Sequence, residues 1–258
     1  MSACGSLGLA NGSRRRHVLT AAAIGDARAD WRADVGIIAP SNVVAGWGNQ
    51  VGNELDLVQT TAGSRPNFTA SGGPNGMPYV SFPATTNLRV ARGNSSAFAP
   101  ATLTWCVVAR YTGSLAYQSL LNCSSTAGWS DGWGAGRLTS TTASAFFGAW
   151  VGSYASHAAS STIVVGTWVI LTGVYDGTTL KLYINGTLAA THSWSGPIVY
   201  SGSPDLVVGG AIAVAGPVYG YPFTGDLARA SIWGEGLSDS KRQQWERSIS
   251  PLYGIAVA

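Results

Sequence analysis

The sequence predicts an all-β protein made of two antiparallel sheets packed face to face, and three observations point there. First, Asp176-Gly177 and Asn185-Gly186 bracket a run that alternates apolar and polar residues, the strongest short-range hairpin signal. Leu180, Leu182 and Ile184 fall on one face of that run, and Thr179, Lys181 and Tyr183 on the other. A strand of this period buries one side against a second layer. Second, the 258 residues include 34 Gly, and only 10% are charged against an average of about 25%. That composition suits many short strands joined by tight turns. Third, short apolar runs recur along most of the chain without a fixed repeat.

Taken in order, the predicted strands are Val43–Trp47, Leu55–Gln59, Tyr79–Phe82, Leu88–Ala91, Thr102–Arg110, Ser119–Cys123, Trp133–Leu138 and Ala145–Val151. They continue with Ile163–Tyr175, Thr179–Ile184, Leu188–Trp194, Leu206–Gly210 and Gly225–Trp233. The Pro- and Gly-rich stretch Arg65–Pro78 reads as a crossing connection. One helix is expected near the C-terminus: Ser238 is a good N-cap, Asp239 suits the first turn, Trp245 and Ile249 form an apolar stripe, and Pro251 is expected to end it. Residues 1–25 read as a small-residue arm and 26–258 as one domain, a length that all-β sandwiches reach without splitting.

Several function classes are set aside by composition. The formal charge is +3, from thirteen Arg and two Lys against twelve acids, and the only basic run is Arg14-Arg15-Arg16. A nucleic-acid-binding domain needs a broader basic face. The three arginines are candidates for an assembly contact with an acidic partner or phosphate, because guanidinium suits bidentate recognition. The apolar run after them, closed by Asp26 and Arg28, is about eight residues long, marginal for an export signal, and export by it is not expected. No run approaches the roughly 20 apolar residues of a membrane-spanning helix. Cys4, Cys106 and Cys123 form no Cys-x-x-Cys pair, and buried thiols are expected of Cys106 and Cys123.

The chain resembles the laminin-G-like and concanavalin A-like jelly rolls. The likeness rests on Trp168, Val174-Tyr175-Asp176-Gly177, Leu182-Tyr183-Ile184-Asn185-Gly186, Val208-Gly209-Gly210, Phe223-Thr224-Gly225-Asp226-Leu227, Ile232-Trp233 and Leu237-Ser238. Upstream, Trp47, Leu55-Asp56-Leu57, Arg65-Pro66 and Val80-Ser81-Phe82 are similar to the N-terminal half of such domains, and Tyr253-Gly254-Ile255 to their ending. The resemblance spans about residues 26–255 and implies a jelly-roll sandwich. It implies no activity, since function is grafted on folds. Domains of this layout occur in bacteriophage structural proteins and in bacterial surface proteins.

Catalysis is not expected. Glycosidases of this fold place carboxylates alternately along one strand, close enough to share a sugar. Here Glu54 and Asp56 share a face, but the third position is Gln59 or Val58. His17, His157 and His192 stand in no nucleophile-elbow turn; His192 is expected on a strand and His157 in a Ser/Ala-rich loop. No cofactor is called for. Calcium is the one cation the resemblance admits, with Asp131, Asp176, Asp205 and Asp226 as loop-placed carboxylates that share no short ligand-loop spacing. The Asn-x-Ser/Thr triplets at Asn11, Asn67, Asn94, Asn122 and Asn185 follow from composition.

Aromatic residues are the better functional signal. Trp129-Ser130-Asp131-Gly132-Trp133, followed by Trp150 and Tyr154, sets rings beside a carboxylate, and Tyr219 and Tyr221 lie between two prolines. Sugar C–H faces stack on such rings while hydroxyls find oxygens. Trp129, Asp131, Trp133, Tyr154, Tyr219 and Tyr221 are therefore the candidate carbohydrate contacts. The plain alternative is that Trp133 and Trp150 anchor strands in the core. The expected function is a non-enzymatic structural or attachment protein of a particle surface, most simply a bacteriophage virion. It would dock other structural proteins through its arm, form an oligomer or part of a larger assembly, and contact glycans through its loops. A free carbohydrate-binding module or lectin, at the cell surface or secreted, is the alternative, and a glycoside hydrolase a third.

Overall fold

Asn185 (φ 49°) and Gly186 (φ 81°) are both left-handed, the backbone that a two-residue hairpin turn between right-twisted strands requires. Asp176 builds the other turn: its Oδ1 accepts from the Thr178 amide at 2.9 Å, the Thr178 hydroxyl at 2.7 Å and the Thr179 amide at 2.8 Å. Desolvation opposes the charge of this carboxylate. The donors from Thr178, Lys181 and Thr179 outweigh it, holding the pKa down at about 2.

The computed structural model describes residues 19–52, 55–83, 86–90, 95–113, 115–125, 131–137, 144–149, 157–212 and 219–258. The strands are β1 (Ala27–Arg32), β2 (Ile37–Ile38), β3 (Gly46–Trp47), β4 (Leu57–Val58), β5 (Asn67–Thr69), β6 (Tyr79–Phe82) and β7 (Leu88–Val90). There follow β8 (Leu103–Tyr111), β9 (Gln118–Ser124), β10 (Trp133–Arg137), β11 (Ser144–Ala149), β12 (His157–Thr162) and β13 (Val169–Tyr175). The last are β14 (Thr179–Ile184), β15 (Thr187–Ser193), β16 (Asp205–Val208), β17 (Ala211–Ile212), β18 (Tyr219–Gly220) and β19 (Gly225–Trp233). One sheet runs β15-β14-β13-β8-β19-β6-β5, with β1 also on β19, and the other β12-β11-β10-β9-β16-β7-β4-β3-β2. Their pairings are antiparallel. The expected two-sheet sandwich is what the chain forms.

Between the sheets lie Trp31, Trp105, Leu171 and Leu182 from the first and Trp47, Leu121, Trp133 and Val208 from the second. Along β8 the side chains alternate between two cores. Trp105, Val107 and Ala109 point into the sandwich, while Cys106 and Val108 face the opposite way, onto Ile170, Trp245, Ile249 and Tyr253. This second core is closed by helix α1 (Asp239–Tyr253), capped by Ser238, whose hydroxyl accepts from the Lys241 amide. Polar contacts fasten the helix as well. The Thr172 hydroxyl donates to Glu246 Oε1 at 2.6 Å, Arg242 bonds Glu246, and the Arg242 guanidinium lies 3.6 Å from the centre of the Tyr183 ring.

Four expectations are corrected. Pro251 does not end α1, which continues to Tyr253 and stops at left-handed Gly254; Pro251 sits in the last turn, and buried Tyr253 holds that turn on the core. The predicted strand Ile163–Tyr175 begins only at Val169, because Ile163–Trp168 turns the chain from β12 into β13. His157 opens β12 rather than lying in a loop. Within Arg65–Pro78, read as a plain connection, Asn67–Thr69 pairs with β6. The last residues of the expected arm pack with the domain: Ala21 and Ile24 are buried in the α1 core. Cys106 and Cys123 are free and buried, on different sheets, and burial pushes the Cys106 thiol up to about 12.

Candidate functional site

Two opposite ends of β9 carry the loops that hold the expected contacts. At its C-terminal end, Asp131 is 1% exposed and acts as a clasp. It accepts from the Ser124 hydroxyl at 2.6 Å, the Ser125 amide at 2.9 Å, the Ser201 amide at 2.8 Å and the Ser201 hydroxyl at 2.7 Å, and from the Ser125 hydroxyl. Burial alone would raise its pKa; the serine donors overcome this and hold it far below the usual carboxylate range. Asp131 thus ties the β15–β16 connection to the end of β9. Trp133, beside it, has no exposed surface, and its Nε1 donates to the Phe98 carbonyl at 2.8 Å. Neither residue presents a face to a ligand, so the expectation for these two gives way to burial: a serine-lined niche consumes the carboxylate, and the sandwich consumes the indole. Trp129, Trp150 and Tyr154 lie outside the described residues, as do Glu54 and Arg14, Arg15 and Arg16.

The other end is a rim of three loops gathered around Gln118, which is fully buried. Its Nε2 donates to the Leu115 carbonyl at 2.9 Å, and its Oε1 accepts from the Thr224 amide at 2.8 Å. The Ser119 amide donates to the Tyr221 carbonyl at 2.9 Å, Arg137 Nη1 to the Gly113 carbonyl at 2.6 Å, and the Gly166 amide to the Tyr111 carbonyl at 2.8 Å. These bonds draw the β8–β9, β12–β13 and β18–β19 connections together. Beneath them Tyr111 and Phe223 pack edge to face at 5.1 Å.

Two tyrosines on this rim hold left-handed backbone: Tyr117 at φ 53° and Tyr221 at φ 51°. Bulky residues seldom adopt that conformation, and where it persists the surroundings hold it there. Tyr117 is 58% exposed, and Tyr221 is partly exposed. Leu115, Val164 and Val165 are exposed on the same loops. Of the expected contacts, Tyr221 is therefore placed at a partly exposed position, its carbonyl bonded to the strand that follows Tyr117. Tyr219 opens β18, with its side chain outside the description. Sequence reasoning missed Tyr117, since nothing in Leu115-Ala116-Tyr117 announces a left-handed residue.

Among the described residues no group of three or more His, Cys, Asp or Glu side chains is placed to hold a metal. Asp226 pairs with Arg110 at 2.6 Å, Asp176 is engaged in its turn, and Asp131 in its clasp. Asp56 is exposed ahead of β4 and accepts from the Asn49 amide at 2.7 Å, while Gln59 is buried and bonds Asn87 at 3.0 Å. Both sit in structural hydrogen bonds.

A two-sheet jelly roll with a helix packed on one outer face is the architecture of a lectin-like domain. A family model, the concanavalin A-like lectin/glucanases superfamily in its laminin G form, matches residues 74–241, and the chain belongs to that family. Among solved structures, the sialidase CBM40 of Ruminococcus gnavus bound to α2,3-sialyllactose is similar with a TM-score of 0.54 and 18% identity, over 63% of this chain and 93% of that one. Domain 4 of AbnA, a GH43 extracellular arabinanase of Geobacillus stearothermophilus in complex with arabinotriose, has a TM-score of 0.52 and 14% identity over 86% of this chain and 98% of its own. A variant of the NanB sialidase of Streptococcus pneumoniae matches over 67% of this chain but 27% of its own length, with a TM-score of 0.51 and 14% identity. No curated protein matches the sequence.

Proposed function

We propose that this chain is a glycan-binding domain without catalytic activity of its own, and that the rim bearing Tyr117 and Tyr221 is its contact surface. The observation that carries this reading is the pair of left-handed tyrosines held by one hydrogen-bonded loop network. Tyrosines whose backbone is already held lose less conformational entropy when a sugar stacks on their rings. Family membership supports it, and so do the similar carbohydrate-binding module and the arabinotriose-bound domain. The carboxylates near the ends of the sandwich are spoken for by serines, threonines and arginine, which leaves them poorly suited to acid–base work on a glycosidic bond. A particle-surface setting, with Arg14, Arg15 and Arg16 docking a neighbouring structural protein, accords with the same role, since an attached jelly roll is free to contact host sugars.

Affinity electrophoresis in gels cast with sialylated, arabinan and glucan polysaccharides tests both halves. The expected result is retardation in at least one gel with no release of reducing ends. Unretarded migration in a broad panel, or steady release of reducing sugar, would overturn the reading.

A further inference from the structure

A cleft of about 340 Å³ opens at the edge where the two sheets meet, lined among others by Asp34, Val35, Ile37, Ala39, Asn42 and Phe68. We propose that it is a second binding site, distinct from the tyrosine rim, for a neutral polyhydroxylated ring the size of one monosaccharide unit. The proposal deepens the glycan-binding reading and rests on it for the ligand's class.

The walls are built, not incidental. The turn after β1 is held by the Trp47 indole, which donates to the Arg32 carbonyl at 2.8 Å, and by the Ala33 amide on the Ala228 carbonyl at 2.9 Å. Gly36, at φ +78°, closes that turn; a Cβ there would lie 2.8 Å from the Gln50 amide nitrogen. Across the cleft, Ser41 (φ 54°) and Asn42 (φ 62°) are successive non-glycine residues in left-handed backbone. The chain just beyond them is tied to the β5 side by the Val44 amide on the Pro66 carbonyl at 2.7 Å and by the Val43–Asn67 bridge. Asn tolerates this backbone whereas Ser seldom adopts it, and the ties on either side hold the pair there.

The lining selects the ligand. Phe68, Ile37, Val35 and Ala39 offer apolar surface, and Asp34 and Asn42 offer polar atoms. A purely apolar occupant would strip water from that carboxylate and amide without replacing its hydrogen bonds. An anion would meet the Asp34 carboxylate with no Lys, Arg or His among the described lining residues, and the Arg32 guanidinium beside it is already engaged by that carboxylate. A cation would meet a carboxylate already neutralised by Arg32, whose Nε and Nη2 lie 3.0 and 2.5 Å from its two oxygens. A hydroxyl suits what remains: each carboxylate oxygen keeps an acceptor site, and the Asn42 amide both donates and accepts. The volume is at the low end of the ~300–1,000 Å³ of small-molecule sites, which fits a single ring.

Saturation-transfer NMR on the full chain, with D-galactose, D-glucose, D-mannose, L-arabinose and N-acetylneuraminic acid as probes, tests this. Asn42→Gly keeps the left-handed backbone and removes the amide; Asp34→Asn keeps the shape and removes the charge; Tyr117→Gly alters the rim alone. The expected result is transfer to at least one neutral sugar that Asn42→Gly and Asp34→Asn each weaken about tenfold. Transfer abolished by Tyr117→Gly but intact in both cleft variants would place the sugar on the rim and overturn the proposal while leaving the glycan-binding reading standing. Preference for N-acetylneuraminic acid, or no transfer to any neutral monosaccharide, would also overturn it. Retention in the polysaccharide gels decides the broader reading independently.

Discussion

The backbone amide of Ser119 donates to the carbonyl of Tyr221 at 2.9 Å, and this bond ties the strand that follows left-handed Tyr117 to the loop of left-handed Tyr221. Ser119 is the second residue of the buried strand β9 and Tyr221 leads into β19, so a surface feature is anchored to the central strands of both sheets. On the proposed reading, glycan contact falls to loops whose backbone the sandwich holds in place.

Tyr117→Gly separates binding from folding. A non-glycine residue in left-handed backbone costs roughly 1–2 kcal/mol, and glycine relieves it while adding freedom to the unfolded chain. Stability measured by urea denaturation is expected to be unchanged or raised by up to about 1 kcal/mol, with glycan retention lost. A fall of more than about 1 kcal/mol would mean the ring is a packing element.

Asp131→Asn is expected to lower stability by about 2–3 kcal/mol at neutral pH, because a buried charged acceptor loses several donors' preferred partner. The wild-type contribution has a definite sign with pH. The folded carboxylate titrates far below its unfolded value near ~3.9, so the stabilisation is complete above that value and is lost as pH falls toward the folded pKa. Thermal unfolding from pH 6 to pH 2 should show a steeper acid loss in the wild type than in the variant.

Asp30→Ala is expected to cost about 3–5 kcal/mol. Asp30 accepts from Arg229 Nε and Nη2 at 2.7 and 2.6 Å and from the Ser231 hydroxyl at 2.9 Å, all buried. Its loss leaves the Arg229 guanidinium, 4.4 Å from the Trp245 ring centre, without its counter-charge. The midpoint of guanidinium-induced unfolding checks this, and a shift worth less than about 1 kcal/mol would contradict it.

Gly173→Ala tests the packing of the sandwich. A Cβ at Gly173 would lie 2.3 Å from Trp105 Cε2, so the indole must leave its place in the core. Overpacking of this kind costs roughly 1–3 kcal/mol. A Tm unchanged from wild type would show that Trp105 moves freely.

Elements that repeat a local rule were legible from the sequence. Tyr79–Phe82, Thr179–Ile184 and Gly225–Trp233 lie as expected, since alternation and turn chemistry both mark them. β1 was not, because Ala27–Arg32 reads as polar; Asp30 is buried only by virtue of Arg229, 199 residues away. Asp131 and Trp133 looked like a ligand pair, yet their partners, Ser124, Ser201 and Phe98, are set by sheet pairing and loop return rather than by neighbours in sequence. Tyr221 was visible as an aromatic between prolines, whereas Tyr117, Asn42 and Phe68 become notable only through a backbone angle or a tertiary cleft.

The most direct test of the account is a glycan array probed with the wild-type chain and with Tyr117→Gly at matched folded fraction. The account predicts selective binding of at least one glycan class by the wild type, reduced tenfold or more in the variant, a loss of about 1.4 kcal/mol or greater. A blank array for the wild type, or equal binding by the two proteins, would contradict it.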